Sequence, residues 1–135
     1  MKKIKTVLLI DDDEPTTFIN KKIIQSSGLI ETIHTANSGL EALNFLGRKA
    51  DQPNEILTPD LILLDINMPA MDGWEFLTEY KKLEITDPKA IVIVMLTTSL
   101  NPDDELKAKE IKEVYGFKNK PLTKQMLEDI VMKYF

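Results

Sequence analysis

The sequence contains no cysteine and very little histidine, and both absences limit its chemistry. None of its 135 residues is cysteine and one is histidine. Without cysteine the chain forms no disulfide, binds no metal through thiolate and has no cysteine nucleophile. The absence of cysteine suits a reducing compartment, so we expect a cytoplasmic protein. We expect the single histidine, His34, to be an ordinary residue on the face of a strand.

Excess basic charge and long hydrophobic segments are also missing. The formal net charge is -5 and the sequence pI is about 4.9, which leaves no basic stripe for phosphate neutralisation and argues against direct nucleic-acid binding. The apolar run that precedes Asp11 is too short for a signal peptide or a membrane span. The length is that of one ordinary domain without a linker or repeat, so we predict a single domain over residues 1–135.

Three unbroken apolar runs predict strands that are buried on both faces of a parallel sheet. These runs are Val7–Ile10, Leu61–Leu64 and Ala90–Leu96. Helical spacing occurs at Thr16–Ser27, Gly39–Arg48, Gly73–Leu83, Pro102–Glu113 and Thr123–Tyr134. Two weaker extended segments, Thr32–Ala36 and Val114–Lys118, complete five strands alternating with five helices. The pattern therefore predicts an α/β protein of the (βα)5 type with helices on both faces of the sheet.

Residues with capping preferences mark the ends of the predicted helices. Gly28 ends the first helix, and the predicted caps at helix starts are Ser38, Asp72, Asn101 and Thr123. We expect Asp72 to cap the third helix and not to bind metal. The polar, proline-containing segment Arg48–Pro59 is predicted to form a long surface loop.

Polar side chains stand where the predicted strands end. Asp11 and Asp12 follow the first strand, Asp65 follows the third, Thr97 ends the fourth and Lys120 follows the fifth. The carboxyl ends of parallel strands meet at one edge of the sheet, where ligands bind. Three carboxylates at one site repel each other unless a cation lies among them, and oxygen-only ligands favour Mg²⁺. A threonine hydroxyl and a lysine ammonium beside them could serve a phosphoryl group. Asp13 is interpreted as a surface residue.

Four stretches, taken in order, resemble one known family. "LLIDDDE", "LILLDINMPAMDG", "VMLTTS" and "KNKPL" are similar to the successive motifs of receiver domains of bacterial two-component response regulators. The resemblance covers essentially the whole chain and is closest to stand-alone, chemotaxis-regulator-like receivers without an output domain. It implies a flavodoxin-like fold with a five-stranded parallel sheet in the order 2-1-3-4-5.

The resemblance also implies a phosphoacceptor and a metal site. Asp65 would accept a phosphoryl group from a histidine kinase or a histidine phosphotransfer protein. The Mg²⁺ cofactor would be bound by Asp12 directly, by Asp11 through a water, by Asp65 and by the backbone carbonyl of Asn67. Such a domain is not an enzyme in the usual sense, although it promotes its own phosphorylation and dephosphorylation.

Further roles follow from the same resemblance. Thr97 and Lys120 would contact the phosphoryl oxygens, and Thr97 with Phe117 would form the switch that signals to a still unknown downstream protein, by contact or by onward phosphotransfer. Two residues depart from the commonest pattern. Thr98 stands where many receivers have alanine or glycine, which could narrow access to the phosphoryl group, and Phe117 lacks the hydroxyl of the frequent tyrosine.

Two other functions remain open at this point. One is a Mg²⁺-dependent phosphohydrolase with an aspartate nucleophile, although such enzymes place a second aspartate where this chain has Asn67, which cannot act as an acid. The other is a flavin-binding electron carrier of similar topology, but the acidic DDDE segment would repel a flavin phosphate.

Overall fold

Five strands alternate with five helices in the computed structural model, which describes residues 4–47, 58–83 and 91–135. The strands are β1 (Ile4–Ile10), β2 (Ile30–Ala36), β3 (Leu61–Leu64), β4 (Val92–Thr97) and β5 (Val114–Asn119). The helices are α1 (Glu14–Ser27), α2 (Gly39–Leu46), α3 (Gly73–Tyr80), α4 (Pro102–Glu110) and α5 (Lys124–Tyr134). Most of the predicted loop Arg48–Pro59 lies outside the described residues, as does Ala90, the predicted start of the fourth strand.

The strands form one parallel sheet in the order β2-β1-β3-β4-β5, as predicted. All residues of β3 and β4 are buried, and so are nearly all those of β1. Burial on both faces explains why these strands are unbroken apolar runs in the sequence. The outer strands are less buried: β2 has buried residues only at its two ends, and the residues of β5 are half-buried or exposed, which accounts for their weaker sequence signal.

Alternate residues of the central strands feed two separate cores, one on each face of the sheet. Leu8, Ile62 and Ile93 lie in one core with side chains of α2, α3 and α4. Their neighbours Val7, Leu61 and Val92 lie in the other core with side chains of α1 and α5. The sheet is therefore sandwiched between two helix layers, and its carboxyl edge is left open to polar residues.

The predicted caps are confirmed. Gly28 has a positive φ of 70° after α1, and the side chains of the predicted N-cap residues accept hydrogen bonds from backbone N–H groups of the helices that they precede. The predicted start of α1 at Thr16 was wrong by two residues, because Asp13 is the N-cap and accepts from the Thr16 N–H at 3.0 Å. Pro15 fits in this first turn, where its missing N–H is not needed.

No helix within residues 4–47, 58–83 and 91–135 is both long enough and apolar enough to cross a bilayer.

Close packing of α3 against the segment after β3 depends on Gly73. The Gly73 N–H donates to the Ile66 carbonyl at 2.8 Å. A Cβ atom at Gly73 would lie 2.8 Å from the Asp65 carbonyl oxygen and 2.9 Å from the Ile66 Cα. Both are backbone atoms, which cannot rotate away as the end of a side chain can. Glycine therefore allows α3 to begin directly against the backbone that carries Asp65.

We predict that Gly73→Ala destabilises the protein by about 1–3 kcal/mol, because the added methyl group forces the backbone apart. The free energy of unfolding, measured by urea denaturation, tests this. Thr78→Ala, an exposed change in the same helix, should stay within about 0.5 kcal/mol of the wild type. Equal stability of Gly73→Ala and wild type would contradict the close approach.

Candidate functional site

Strand register places Asp11 and Asp65 side by side. Ile10 of β1 pairs with Leu64 of β3, so the residues that follow them emerge next to each other at the carboxyl edge of the sheet. The Asp65 N–H donates to the Ile10 carbonyl at 3.0 Å, which continues the ladder into the site. Both carboxylate residues are buried, with 6% of Asp11 and 5% of Asp65 exposed. Two like charges are therefore held together in a poorly hydrated place.

The ammonium group of Lys120 lies between these two carboxylates. Lys120 Nζ is 2.8 Å from Asp11 Oδ2 and 3.3 Å from Asp65 Oδ1. Its backbone N–H donates to the Thr97 carbonyl at 2.8 Å, which fixes the start of the side chain beside the end of β4. The Lys120–Pro121 peptide bond is cis. One partly buried cation thus compensates two buried anions.

The electrostatics of the site follow from this arrangement. Burial raises the pKa of the Asp65 carboxyl, and the Asp11 carboxylate raises it further, whereas Lys120 and the backbone N–H of Asn67 oppose the rise. Burial alone would lower the pKa of the Lys120 ammonium, but the hydrogen bond and charge of Asp11 and the charge of Asp65 leave it above its usual value. Lys120 therefore stays charged, and burial leaves the negative charge of Asp65 poorly stabilised.

A divalent cation fits the same place. Asp11, Asp12 and Asp65 each offer a carboxylate oxygen, and these oxygens lie within 4.8 Å of one another. Asp12 is exposed, so this ligand faces solvent, from which a hydrated ion would arrive. Asp13 does not belong to the cluster, because its carboxylate caps α1. Oxygen donors alone, partly open to water, are the set that a hard ion such as Mg²⁺ prefers.

Thr97 and Phe117 lie on the neighbouring strands β4 and β5. Thr97 is fully buried, and its hydroxyl accepts a hydrogen bond from the Ser99 N–H at 3.0 Å. Phe117 pairs with Met95 across the two strands and packs, half-buried, against the core under α2, α3 and α4. Thr98 is exposed and points away from the packed interior. The structure thus brings the predicted threonine to the same edge as the carboxylates and Lys120, with the aromatic ring on the adjoining strand.

Asn67 lies beside Asp65, whereas His34 lies within strand β2. Asn67 follows Asp65 by two residues, donates its N–H toward that carboxylate and has an exposed side chain. His34 of β2 pairs with Leu8 of β1, and the centre of its ring lies 5.0 Å from that of Phe45. His34 is therefore a strand residue, as predicted, and is not a member of the acidic cluster.

Sequence reasoning missed two sets of polar residues near the site. Asn20 of α1 is buried and lines a cavity of about 10 Å³ together with Asp11 and Asp65. Ser99 makes hydrogen bonds with Asp104 and Asn119 on two other elements. The buried position of Asn20 carries a weak signal, four residues before the buried Ile24 on one face of the helix, whereas nothing local marks the Ser99 contacts.

A groove of about 200 Å³ lies on another face of the protein, between α4, β5 and the end of α5. Phe117 contributes to its lining, as do Lys109, Lys118 and Lys133. This face is physically connected to the acidic cluster through β5, since Phe117 precedes Lys120 on the same strand and its continuation.

Comparison with known proteins gives a consistent result. The family model of the response regulator receiver domain matches residues 7–132. Response regulator Rcp1 from Synechocystis sp. is 35% identical over 107 residues, which cover 79% of this chain and 71% of Rcp1. The crystal structure of a two-component response regulator from Cytophaga hutchinsonii has a TM-score of 0.86 at 34% identity and covers 98% of this chain and 97% of that one.

A metal-bound structure is among the similar ones. The Mn(2+)-bound form of response regulator Rcp1 has a TM-score of 0.76 at 30% identity, covering 96% of this chain and 94% of that chain. The family model spans nearly the whole chain, and the similar solved structures share its fold. The chain therefore belongs to the response regulator receiver domain family.

Proposed function

We propose that this protein is a phosphorylation-activated signalling switch in which Asp65 accepts a phosphoryl group from a histidine kinase or a histidine phosphotransfer protein. The observation that carries the proposal is the Asp65 carboxylate, buried beside Asp11 and paired with the Lys120 ammonium at 3.3 Å. An Asp65 oxygen attacks the phosphorus of the phosphohistidine. A P–O bond forms, the P–N bond breaks, and the histidine nitrogen leaves with the bonding electron pair and takes up a proton.

Lys120 can stabilise the negative charge of the site both before and after phosphoryl transfer. Before transfer its ammonium compensates the Asp11 and Asp65 carboxylates. After transfer the new phosphoryl oxygens offer stronger acceptors beside the same cation, so the ammonium can keep Asp11 and bind an oxygen of the phosphoryl group. The buried Thr97 hydroxyl supplies a second donor from the adjoining strand.

Mg²⁺ is the proposed cofactor. Asp12 and Asp65 would bind it directly, Asp11 would hold one of its waters, and the backbone carbonyl of Asn67 would add a ligand. When bound, the ion neutralises charge on the phosphoryl group during transfer. The carboxylate cluster supports this assignment, and so does the Mn(2+)-bound form of Rcp1, a similar protein.

The phosphorylated state would be passed to another protein by surface contact or by onward transfer of the phosphoryl group. Movement of Thr97 toward the phosphoryl oxygens changes packing near Phe117, which lines the groove between α4, β5 and α5. A phosphohydrolase remains the alternative. Its general acid would be needed at Asn67, whose carboxamide cannot donate a proton as an acid.

The first prediction is that Asp65 becomes covalently phosphorylated. Incubation with Mg²⁺ and acetyl phosphate should add the mass of one phosphoryl group to the wild type and none to Asp65→Asn, measured by intact mass spectrometry. Asp129→Asn, an exposed change on α5, is the matched control and should retain the adduct. An adduct that persists in Asp65→Asn would place the phosphoacceptor elsewhere, and steady hydrolysis of phosphate esters by the wild type would favour the phosphohydrolase.

Substitution of Asp12, but not of the neighbouring Asp13, should weaken Mg²⁺ binding. Asp12→Ala removes a direct ligand and should weaken Mg²⁺ binding on the order of tenfold or more, measured by calorimetry. Asp13→Ala removes the cap of α1 instead, because the Asp13 carboxylate is bound to Thr16. Asp13→Ala should therefore lower the thermal midpoint while keeping wild-type Mg²⁺ affinity. Equal losses of affinity in the two variants would refute the assigned ligands.

The proposed switch roles of Thr97 and Lys120 can be tested separately. Thr97→Ala and Lys120→Ala should still acquire phosphate at Asp65 but show a smaller amide chemical-shift change across residues 101–134, because each loses a donor to the phosphoryl group. Thr97→Ser keeps the hydroxyl and should preserve most of the wild-type change. If both alanine variants, confirmed phosphorylated by mass, reproduced the full change, Thr97 and Lys120 would not be switch residues.

A further inference from the structure

Ser99, between β4 and α4, is bound through all of its polar atoms. Its N–H donates to the Thr97 hydroxyl at 3.0 Å, and its carbonyl accepts from Asn119 Nδ2 at 2.8 Å. Its hydroxyl donates to Asp104 Oδ2 at 2.5 Å and accepts from the Asn101 N–H at 3.2 Å. We call these contacts of Ser99 with Thr97, Asp104 and Asn119 the Ser99 clamp. One small residue thereby joins three elements of the fold.

Each arm of the clamp ends at a well-anchored group. Asp104 lies in the first turn of α4, two residues after its proline, and the N-cap side chain of Asn101 accepts from the Asp103 N–H. Asn119 is the last residue of β5 and pairs with Thr97 across the strands. The hydrogen bond to Asp104 involves a carboxylate, which makes it stronger than a bond between neutral groups. If Ser99 shifts, the start of α4 therefore either holds it back or moves with it.

We propose that Ser99 is a positioning residue that couples the Thr97 hydroxyl to the first turn of α4. The inference rests on the proposed function, in which Thr97 moves toward a phosphoryl group on Asp65. The backbone N–H of Ser99 is already bound to that hydroxyl, so the movement of Thr97 draws Ser99 with it. The Ser99 hydroxyl in turn holds the Asp104 carboxylate and the Asn101 N–H, and the displacement reaches the start of α4 through this hydroxyl.

The path through Ser99 is distinct from the path through Phe117. Phe117 lies on β5 and responds to packing changes beside β4, whereas the Ser99 clamp acts by hydrogen bonds on the start of α4. Removing the Ser99 hydroxyl keeps the backbone arms to Thr97 and Asn119 and breaks its two contacts at the start of α4, with Asp104 and with the N–H of the N-cap Asn101. The two paths can therefore be separated by a single substitution.

The experiment compares Ser99→Ala with wild type, first without phosphorylation. Loss of the hydroxyl removes its bonds with Asp104 and with the Asn101 N–H, and should speed amide hydrogen exchange at residues 101 and 103–105 about fivefold or more. Asp104→Ala should have a similar effect, and the double variant should add little to either, since both remove the same contact. Ser99→Thr restores a hydroxyl and should restore protection. Ser26→Ala, which removes an exposed hydroxyl bonded to the Ile23 carbonyl of α1, is the matched control.

The second measurement uses protein treated with Mg²⁺ and acetyl phosphate and confirmed as phosphorylated by intact mass. In Ser99→Ala the chemical-shift change across residues 102–110 should fall to about half or less of the wild-type change, while the change around Asp65 and Lys120 persists. Ser99→Thr and Ser26→Ala should both show the wild-type response. This selective loss in α4 is a signature that general destabilisation would not produce.

The outcomes separate the coupling from the function on which it rests. Unchanged exchange at the start of α4 in Ser99→Ala would overturn the clamp itself, whatever the state of Asp65. A phosphorylated Ser99→Ala with the full wild-type change in α4 would overturn the coupling alone. Failure of the wild type to form any adduct would overturn the proposed function and, with it, the coupling.

Discussion

Two buried carboxylates at adjacent strand ends are the constraint on which the rest of this structure depends. Asp11 and Asp65 follow a pair of residues in register, Ile10 and Leu64, so the parallel sheet itself forces them together. Buried like charges destabilise a fold unless a cation compensates them. Lys120 supplies that cation at 2.8 Å from Asp11 and 3.3 Å from Asp65. The same repulsion makes the site receptive to a divalent cation.

The fold delivers each component of the site from a different strand. The inner strands are buried on both faces, so their register is fixed by packing and their ends are placed with little freedom. Gly73 lets α3 pack against the backbone of Asp65, and the hydrogen bond from the Lys120 N–H to the Thr97 carbonyl joins the ends of β4 and β5. Buried strands thus hold the groups of the candidate site in place.

For the proposed switch, a change at Asp65 must reach a surface where another protein binds. Two physical connections leave the site. One runs along β5 through Phe117 to a groove lined by Lys109, Lys118 and Lys133. The other runs from Thr97 through the hydrogen bonds of Ser99 to the first turn of α4. A packing contact and a hydrogen-bond contact respond to different substitutions, so the two surfaces can be tuned independently.

The sequence determined most of the secondary structure, since apolar runs and helix caps are local signals. Gly28, Asp72 and Thr123 act where they were expected, because a cap depends on residues within one turn. The carboxylates at strand ends also followed from the sequence, because parallel strands share one carboxyl edge.

Tertiary structure alone decided the pairings. Lys120 meets Asp11 across 109 positions of the chain, and no local pattern records that contact. It also decided that Phe18 and Ile19 of α1 are 61% and 55% exposed while Asn20 is buried. The helix turns the face with Asn20 and Ile24 toward the sheet, and the orientation is set by packing against distant strands, not by the hydrophobicity of single residues. Asn119 meets the Ser99 carbonyl for the same reason, across 20 positions of the chain, whereas the bond of Ser99 to Asp104 spans only five.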